Sequence, residues 1–62
     1  MEAGRIGESQ LDELRNMRVL LEEARILARN LAYHRRAALE RAIGQTLDEI
    51  DEQIEDLRRE SN

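Results

Sequence analysis

Apolar residues recur along this chain at the spacing of an α-helix. In two stretches, residues 14–31 and 39–57, they follow one another at intervals of three or four, a pattern typical of a coiled-coil seam. We therefore expect both stretches to be helical and to associate with other copies of the chain through these positions. The predicted oligomer interface consists of Leu14, Met17, Leu21, Ala24, Ala28, Leu31, Leu39, Ile43, Leu47, Ile50, Ile54 and Leu57.

A further set of apolar residues lies outside this seam in the first stretch. Val19, Ile26 and Tyr33 repeat every seven residues, and at about 100° per residue they lie nearly opposite the seam. Leu20 and Leu27 repeat in the same way and widen the seam itself. A helix with apolar side chains on several sides needs several neighbours, which indicates a bundle of helices. Because 62 residues cannot supply them all, we expect the other helices to come from further copies.

Gly44 is the position at which the helical pattern is most readily interrupted. Glycine is common just past a helix end. Thr46 is followed three residues later by Glu49, the spacing of a capping box that starts a new helix. We therefore predict an all-α helical hairpin that self-associates into a coiled-coil or four-helix-type bundle. Its parts are a flexible arm at 1–8, helix 1 over 9–43, a turn at 44–45 and helix 2 over 46–60, in a single helical module.

Two other arrangements fit the same pattern. One continuous long helix in an antiparallel coiled coil would carry an eleven-residue apolar repeat across Gly44, at a cost of about 1 kcal/mol for the glycine. A turn near Asn30 would give two arms of similar length. Residues 14–41 hold seven arginines and three acidic residues, whereas residues 45–62 hold two arginines and seven acidic residues. A fold-back and an antiparallel pair both bring these opposite charges together, so charge does not separate the alternatives.

The composition fits a small helical protein without covalent cross-links. The chain has no cysteine and no proline, one tyrosine as its only aromatic residue, and 39% charged residues. A chain of this length buries only about 60% of its unfolded surface when it folds alone, so stabilising contacts are expected from a partner chain. No stretch resembles a signal peptide or a membrane span. We expect a cytoplasmic protein with no membrane partner.

The sequence offers no recognisable catalytic or metal-binding motif. His34 is the only histidine, and neither a histidine nor a glutamate lies at the spacing that helical metal sites use. There is no glycine-rich phosphate loop, no zinc-ligand spacing and no nucleophile beside a base. We therefore expect no enzyme activity, no catalytic residue, no metal and no cofactor.

Two hypotheses for function remain. The first is a non-enzymatic oligomerisation and protein–protein interaction module, or adaptor, whose partner is another copy of itself and, as a further candidate, a helical segment of another protein. The second is a small dimeric nucleic-acid-binding regulator, because five arginines fall on one predicted helical stripe that would follow phosphates. The net charge of −4 argues against the second. The predicted ridge consists of Arg15, Arg18, Arg25, Arg29 and Arg36.

Overall fold

The fold is an antiparallel pair of helices. The computed structural model describes the backbone of residues 3–61 and the side chains of residues 9–60. Helix α1 spans Ala3–Ala28 and helix α2 spans Tyr33–Ser61. The two pack against each other in a hairpin whose Cα atoms extend over 50 × 15 × 9 Å, and residues 3–61 contain no strand. The prediction of an all-α helical hairpin is confirmed at this level.

The predicted turn at Gly44 is wrong. Helix α2 runs through Gly44 without a break, and α1 ends at Ala28. One continuous helix is excluded as well, because residues 29–32 separate the two helices. The chain reverses near Asn30, which was the third of the arrangements that the sequence allowed.

The turn at residues 29–32 is built without glycine and without a residue of positive φ. The backbone N–H groups of residues 29, 30 and 31 donate to the carbonyls three positions earlier, with N···O distances of 3.2, 3.0 and 3.1 Å. These short-range bonds tighten the end of α1 and satisfy carbonyls that a glycine cap would otherwise serve. The N–H of Arg36 donates to the carbonyl of Ala32 at 2.9 Å. Ala32 is therefore the N-cap of α2, and its side chain has no oxygen that could cap it.

The residues that suggested a helix start after Gly44 make other contacts. The hydroxyl of Thr46 donates to the carbonyl of Ala42, one turn earlier in the same helix, at 3.0 Å. The carboxylate of Glu49 accepts a hydrogen bond from the side-chain amide of Gln53 at 2.8 Å. Both side chains therefore form hydrogen bonds within α2, and the capping box does not form.

The lengths of the two arms explain where the chain turns. α1 has 26 residues and α2 has 29, so each helix covers the apolar seam of the other along most of its length. A turn at Gly44 would set a short helix over 46–60 against a long one over 9–43, and half of the longer seam would stay in water. Burying one large apolar side chain stabilises by about 1.5–3 kcal/mol, whereas glycine inside a helix costs about 1 kcal/mol. The apolar burial gained by two arms of similar length is therefore larger than the cost of one glycine inside α2.

Two further parts of the prediction are wrong. The first helix begins at Ala3 instead of residue 9, so residues 3–8 of the predicted flexible arm belong to α1; residues 1 and 2 lie outside the described part of the chain. Tyr33 is the first residue of α2, although the sequence placed it on helix 1.

The buried core is small and is shared by both helices. Ala28 from α1 and Leu47 and Ile50 from α2 are the described hydrophobic residues that are buried, each with at most 6% of its surface exposed. Half-buried apolar residues extend this seam in both directions, and on α2 they keep alternating intervals of four and three. These residues are Leu11, Leu14, Leu21 and Ala24 on α1, and Ile43, Ile54 and Leu57 on α2.

Candidate functional site

The twelve residues predicted as an oligomer interface divide into two groups in the structure. Met17, Leu31 and Leu39 are exposed, with 46%, 43% and 46% of their surface accessible to solvent. The other nine are buried or half-buried, and they close the hairpin within one chain. Most of the predicted interface therefore holds α1 and α2 together, and only its exposed edge remains for another molecule. The nine are Leu14, Leu21, Ala24, Ala28, Ile43, Leu47, Ile50, Ile54 and Leu57.

An apolar groove lies between the two helices at the turn end of the hairpin. Two of the side chains at its rim, Leu27 and Leu39, have 66% and 46% of their surface exposed. Because every lining residue is apolar, water in this groove finds few hydrogen-bonding partners among side chains. The lining residues are Ala24, Leu27, Ala28, Leu31, Leu39 and Ile43.

The apolar character of this side continues along α1 away from the turn. Leu20 lies seven residues before Leu27 and is 64% exposed. At about 100° per residue, Met17 and Leu20 lie on the same flank of α1 as Leu27. Leu31, in the turn beyond the end of α1, lines the same groove as Leu27. We call this surface the apolar flank. It consists of Met17, Leu20, Leu27, Leu31 and Leu39, with the small residue Ala24 at its centre.

The sequence pattern predicts the apolar flank only in part. Leu20 and Leu27 widen the predicted seam but are not members of the predicted interface. The signal was their seven-residue repeat beside the seam, which marks an edge that one neighbouring helix does not cover.

Towards the open end of the hairpin, the groove between the helices becomes polar. Leu14 and Leu57 line it there and are both half-buried. Six polar or charged residues supply the rest of its lining, so the fully apolar part of the groove is its turn-proximal part. The six are Ser9, Gln10, Glu13, Gln53, Asp56 and Glu60.

A different flank of α1 carries ion pairs. Arg18 Nε lies 3.0 Å from Oδ1 of Asp51 on α2 and donates a hydrogen bond to it. Asp51 raises the pKa of Arg18 above its ordinary value, first through this hydrogen bond and then through its negative charge. Glu22 lies 3.7 Å from Arg18 and accepts a hydrogen bond of 2.8 Å from Arg25. Because these groups face water, their ion pairs contribute little to stability. The pairs do place a carboxylate next to each of two arginines, Arg18 and Arg25.

The predicted arginine ridge is not a single surface. Arg36 lies on α2, and its guanidinium carbon is 5.6 Å from the centre of the Tyr33 ring. Two other members pair with carboxylates, as described above. Arg15, Arg29 and Arg36 form no ion pair with a carboxylate among the described side chains, and Arg29 lies in the turn beyond the end of α1. A continuous row of free guanidinium groups, which a phosphate backbone would need, is therefore not present on α1.

The predicted second apolar face is also divided. Val19 and Ile26 are 56% and 59% exposed and lie on the side of α1 that faces away from α2. Tyr33 is 69% exposed but belongs to α2, on the other side of the turn. The prediction that these three side chains share one helix face is wrong, because the chain reverses between Ile26 and Tyr33.

Charge is distributed unevenly along the hairpin. Residues 24–46, which surround the turn, hold five arginines and one glutamate, a net charge of +4 with His34 neutral. Residues 9–23 and 47–60, which form the open end, hold four arginines and eleven acidic residues, a net charge of −7. The hairpin therefore has a positive turn end and a negative open end.

The described residues offer no clear site for metal chemistry. No group of three or more histidine, cysteine, aspartate or glutamate side chains in the searched residues is arranged to hold a metal ion. His34 is exposed, in the first turn of α2. Within the same part of the chain, neither helix is long and apolar enough to cross a membrane.

Comparisons with known proteins add no further candidate. No protein-family model, curated protein or solved structure matches this chain. Function must be inferred from the surface of the hairpin itself. The apolar flank is a contiguous exposed apolar surface, which is typical of interaction sites, and it is therefore the candidate site.

Proposed function

We propose that this protein is a non-enzymatic helical interaction module that self-associates through the apolar flank. The observation that carries the proposal is the exposure of five large apolar side chains on one side of the hairpin, each 43–66% accessible. Contiguous exposed apolar surface of this kind is typical of protein–protein interaction sites. A chain whose described core holds three buried hydrophobic residues gains stability when such a surface is covered.

The surface proposed for association differs from the seam that the sequence indicated. The buried part of that seam is already in contact within one chain, so it is not free to contact a second one. The apolar flank runs along the edge of the same seam. Association through it would add a second layer of helices and complete a four-helix-type bundle, in which each helix has more than one neighbour.

The expected strength of association is moderate. Covering the exposed half of a large apolar side chain stabilises by about 1 kcal/mol, and each of two copies supplies five such side chains. Association itself costs roughly 4–15 kcal/mol in lost translational and rotational freedom. Gain and cost are of the same order, so we expect a dimer whose population depends on protein concentration.

Sedimentation equilibrium over a wide range of protein concentration tests this proposal. The mass should rise from that of one 7.2 kDa chain towards twice that value as the concentration increases. Circular dichroism should show high helix content throughout. A mass that stays at one chain up to the highest concentration would contradict self-association.

A matched pair of variants tests the surface. Leu27→Glu places a charge on the apolar flank, whereas Ile26→Glu places the same charge at the neighbouring position, outside that flank. The two parent side chains are similarly exposed, 66% and 59%, so both variants should fold. We expect Leu27→Glu to raise the dimer dissociation constant by about tenfold or more. Ile26→Glu should leave it nearly unchanged; equal effects would show that the apolar flank is not the contact surface.

A further inference from the structure

We infer that the occupant of the apolar flank is a second copy bound in antiparallel orientation, with the turn end of each hairpin against the acidic part of the other. This inference rests on the proposed self-association and adds its geometry. Two properties of the hairpin carry it: where the exposed apolar side chains are centred, and the charge difference between the two ends.

The apolar flank fixes where a two-fold axis would pass. Its members lie along the chain on both sides of Ala24: Met17 and Leu20 precede it on α1, Leu27 follows it on α1, and Leu31 follows in the turn. A two-fold interface brings residues at equal distances from the axis together. With the axis near Ala24, α1 of one copy lies on α1 of the other, and Met17 faces the turn of the second copy, which contains Leu31.

The same register suits the residues nearest the axis. Leu20 lies level with Ala28 of the second copy and beside its Leu27. Ala24 meets Ala24, and this small side chain allows the two helices to approach closely. On α2, Leu39 closes the turn-proximal edge of the contact. Large side chains therefore meet across the interface on both sides of a narrow centre.

Charge selects the antiparallel orientation. A parallel arrangement would place the +4 turn ends side by side and the −7 open ends side by side, and like charges in contact oppose association. In the antiparallel arrangement, Arg35 of one copy lies level with Glu55 of the other and within one residue of its Asp56. Asp56 lines the polar groove towards the open end and pairs with Arg59 of its own chain; a carboxylate has lone pairs for a second arginine. Arg35 forms no ion pair among the described side chains of its own chain.

The register makes a specific prediction about distances. Ser9 lies fifteen residues from Ala24. At 1.5 Å per residue, the two copies of Ser9 are therefore about 45 Å apart along the direction of the helices. Arg18 and Asp51 pair across the hairpin, and Ala24 and Gln45 each lie six residues from them towards the turn, so Gln45 is level with Ala24. Glu60 lies fifteen residues from Gln45 and gives a similar separation of about 45 Å. A parallel dimer would bring either pair to within about 20 Å, since packed helices lie 8–10 Å apart. An antiparallel dimer in which the two α1 helices overlap completely, with the axis at the middle of α1, would also give about 20 Å for Ser9.

Pulsed electron-spin resonance on singly labelled protein measures this separation. The chain has no cysteine, so Ser9→Cys and, separately, Glu60→Cys each carry one spin label. At a concentration where sedimentation shows the dimer, both variants should give distances near 45 Å. Distances near 20 Å together with a dimer mass would overturn the orientation or register but leave self-association intact. A monomer mass with no measurable distance would overturn both.

A charge exchange tests the electrostatic part. Arg35→Glu and Asp56→Arg should each raise the dimer dissociation constant by about threefold to tenfold. The double variant should return it close to the original value. Arg41→Glu is the matched control, because it removes the same charge from another side of α2 and should have a smaller effect. A double variant no tighter than either single one would contradict the contact.

Discussion

Residues 29–32 and residues 43–46 show opposite relations between local sequence and backbone. The first segment contains no glycine or proline, yet the chain reverses there. The second contains Gly44 and Thr46, two residues that commonly mark helix ends, yet α2 passes through it without interruption. Each local signal is worth about 1 kcal/mol. The comparison shows that the burial available to two matched arms decides where this chain turns.

The seam of α2 shows how this happens. Half-buried or buried positions follow one another from Arg36 through Glu40 and Ile43 to Leu57 at alternating intervals of four and three. The seam continues past Gly44 with the same alternating intervals. A break at that point would have ended the contact with α1, whereas a break at 29–32 allows the whole seam to be used.

The largest expected effect comes from the part of α2 beyond Gly44. Ile50 is 3% exposed and packs in the seam between the helices. Ile50→Ala should lower the free energy of unfolding by about 2–4 kcal/mol, through lost burial and the cavity left behind. Urea unfolding followed by circular dichroism measures this. The destabilisation should persist at concentrations below dimerisation, because the contact lies within one chain.

Two variants control this measurement. Ile26 is 59% exposed, so Ile26→Ala should change the free energy of unfolding by no more than about 0.5 kcal/mol. If Ile50→Ala leaves too little folded protein to measure, Ile50→Val should cost about 1 kcal/mol. An Ile50 variant that is destabilised only at dimer-forming concentrations would show that residues beyond Gly44 pack against another chain.

The sequence predicts the helical content and the seam of α2 well, because both depend on spacing within one segment. It does not predict the turn, because no residue near Asn30 breaks a helix by itself and the arrangement that wins is set by contacts across the hairpin. The candidate site is limited in the same way. Leu21 and Leu31 look equivalent in the pattern, and only the packing shows that Leu31 is left exposed.

An intermediate effect is expected at the start of α2. Ala32 supplies the N-cap without a side-chain acceptor, and the first turn of α2 contains no acidic residue. Ala32→Asp should raise the free energy of unfolding by about 1 kcal/mol, by accepting a backbone hydrogen bond and placing negative charge at the positive end of the helix dipole. Urea unfolding at fixed protein concentration is the measurement. Ala32→Asn separates the two contributions, since it supplies the oxygen without the charge. Unchanged stability in both variants would contradict a helix start at this residue.

The smallest effect is expected at Gly44, and its sign tests the comparison most directly. Apart from its chain neighbours and the adjoining backbone of α2, a Cβ added at Gly44 would meet no atom within 4 Å, and the residue has no positive φ. Gly44→Ala should therefore raise the free energy of unfolding by about 0.5–1 kcal/mol, because alanine loses less conformational entropy in a helix. Ala38→Gly, at an exposed position in the same helix, should lower it by a similar amount. Destabilisation by Gly44→Ala would instead mean that the chain turns there, since a turn of that kind needs the positive φ that glycine alone adopts without strain.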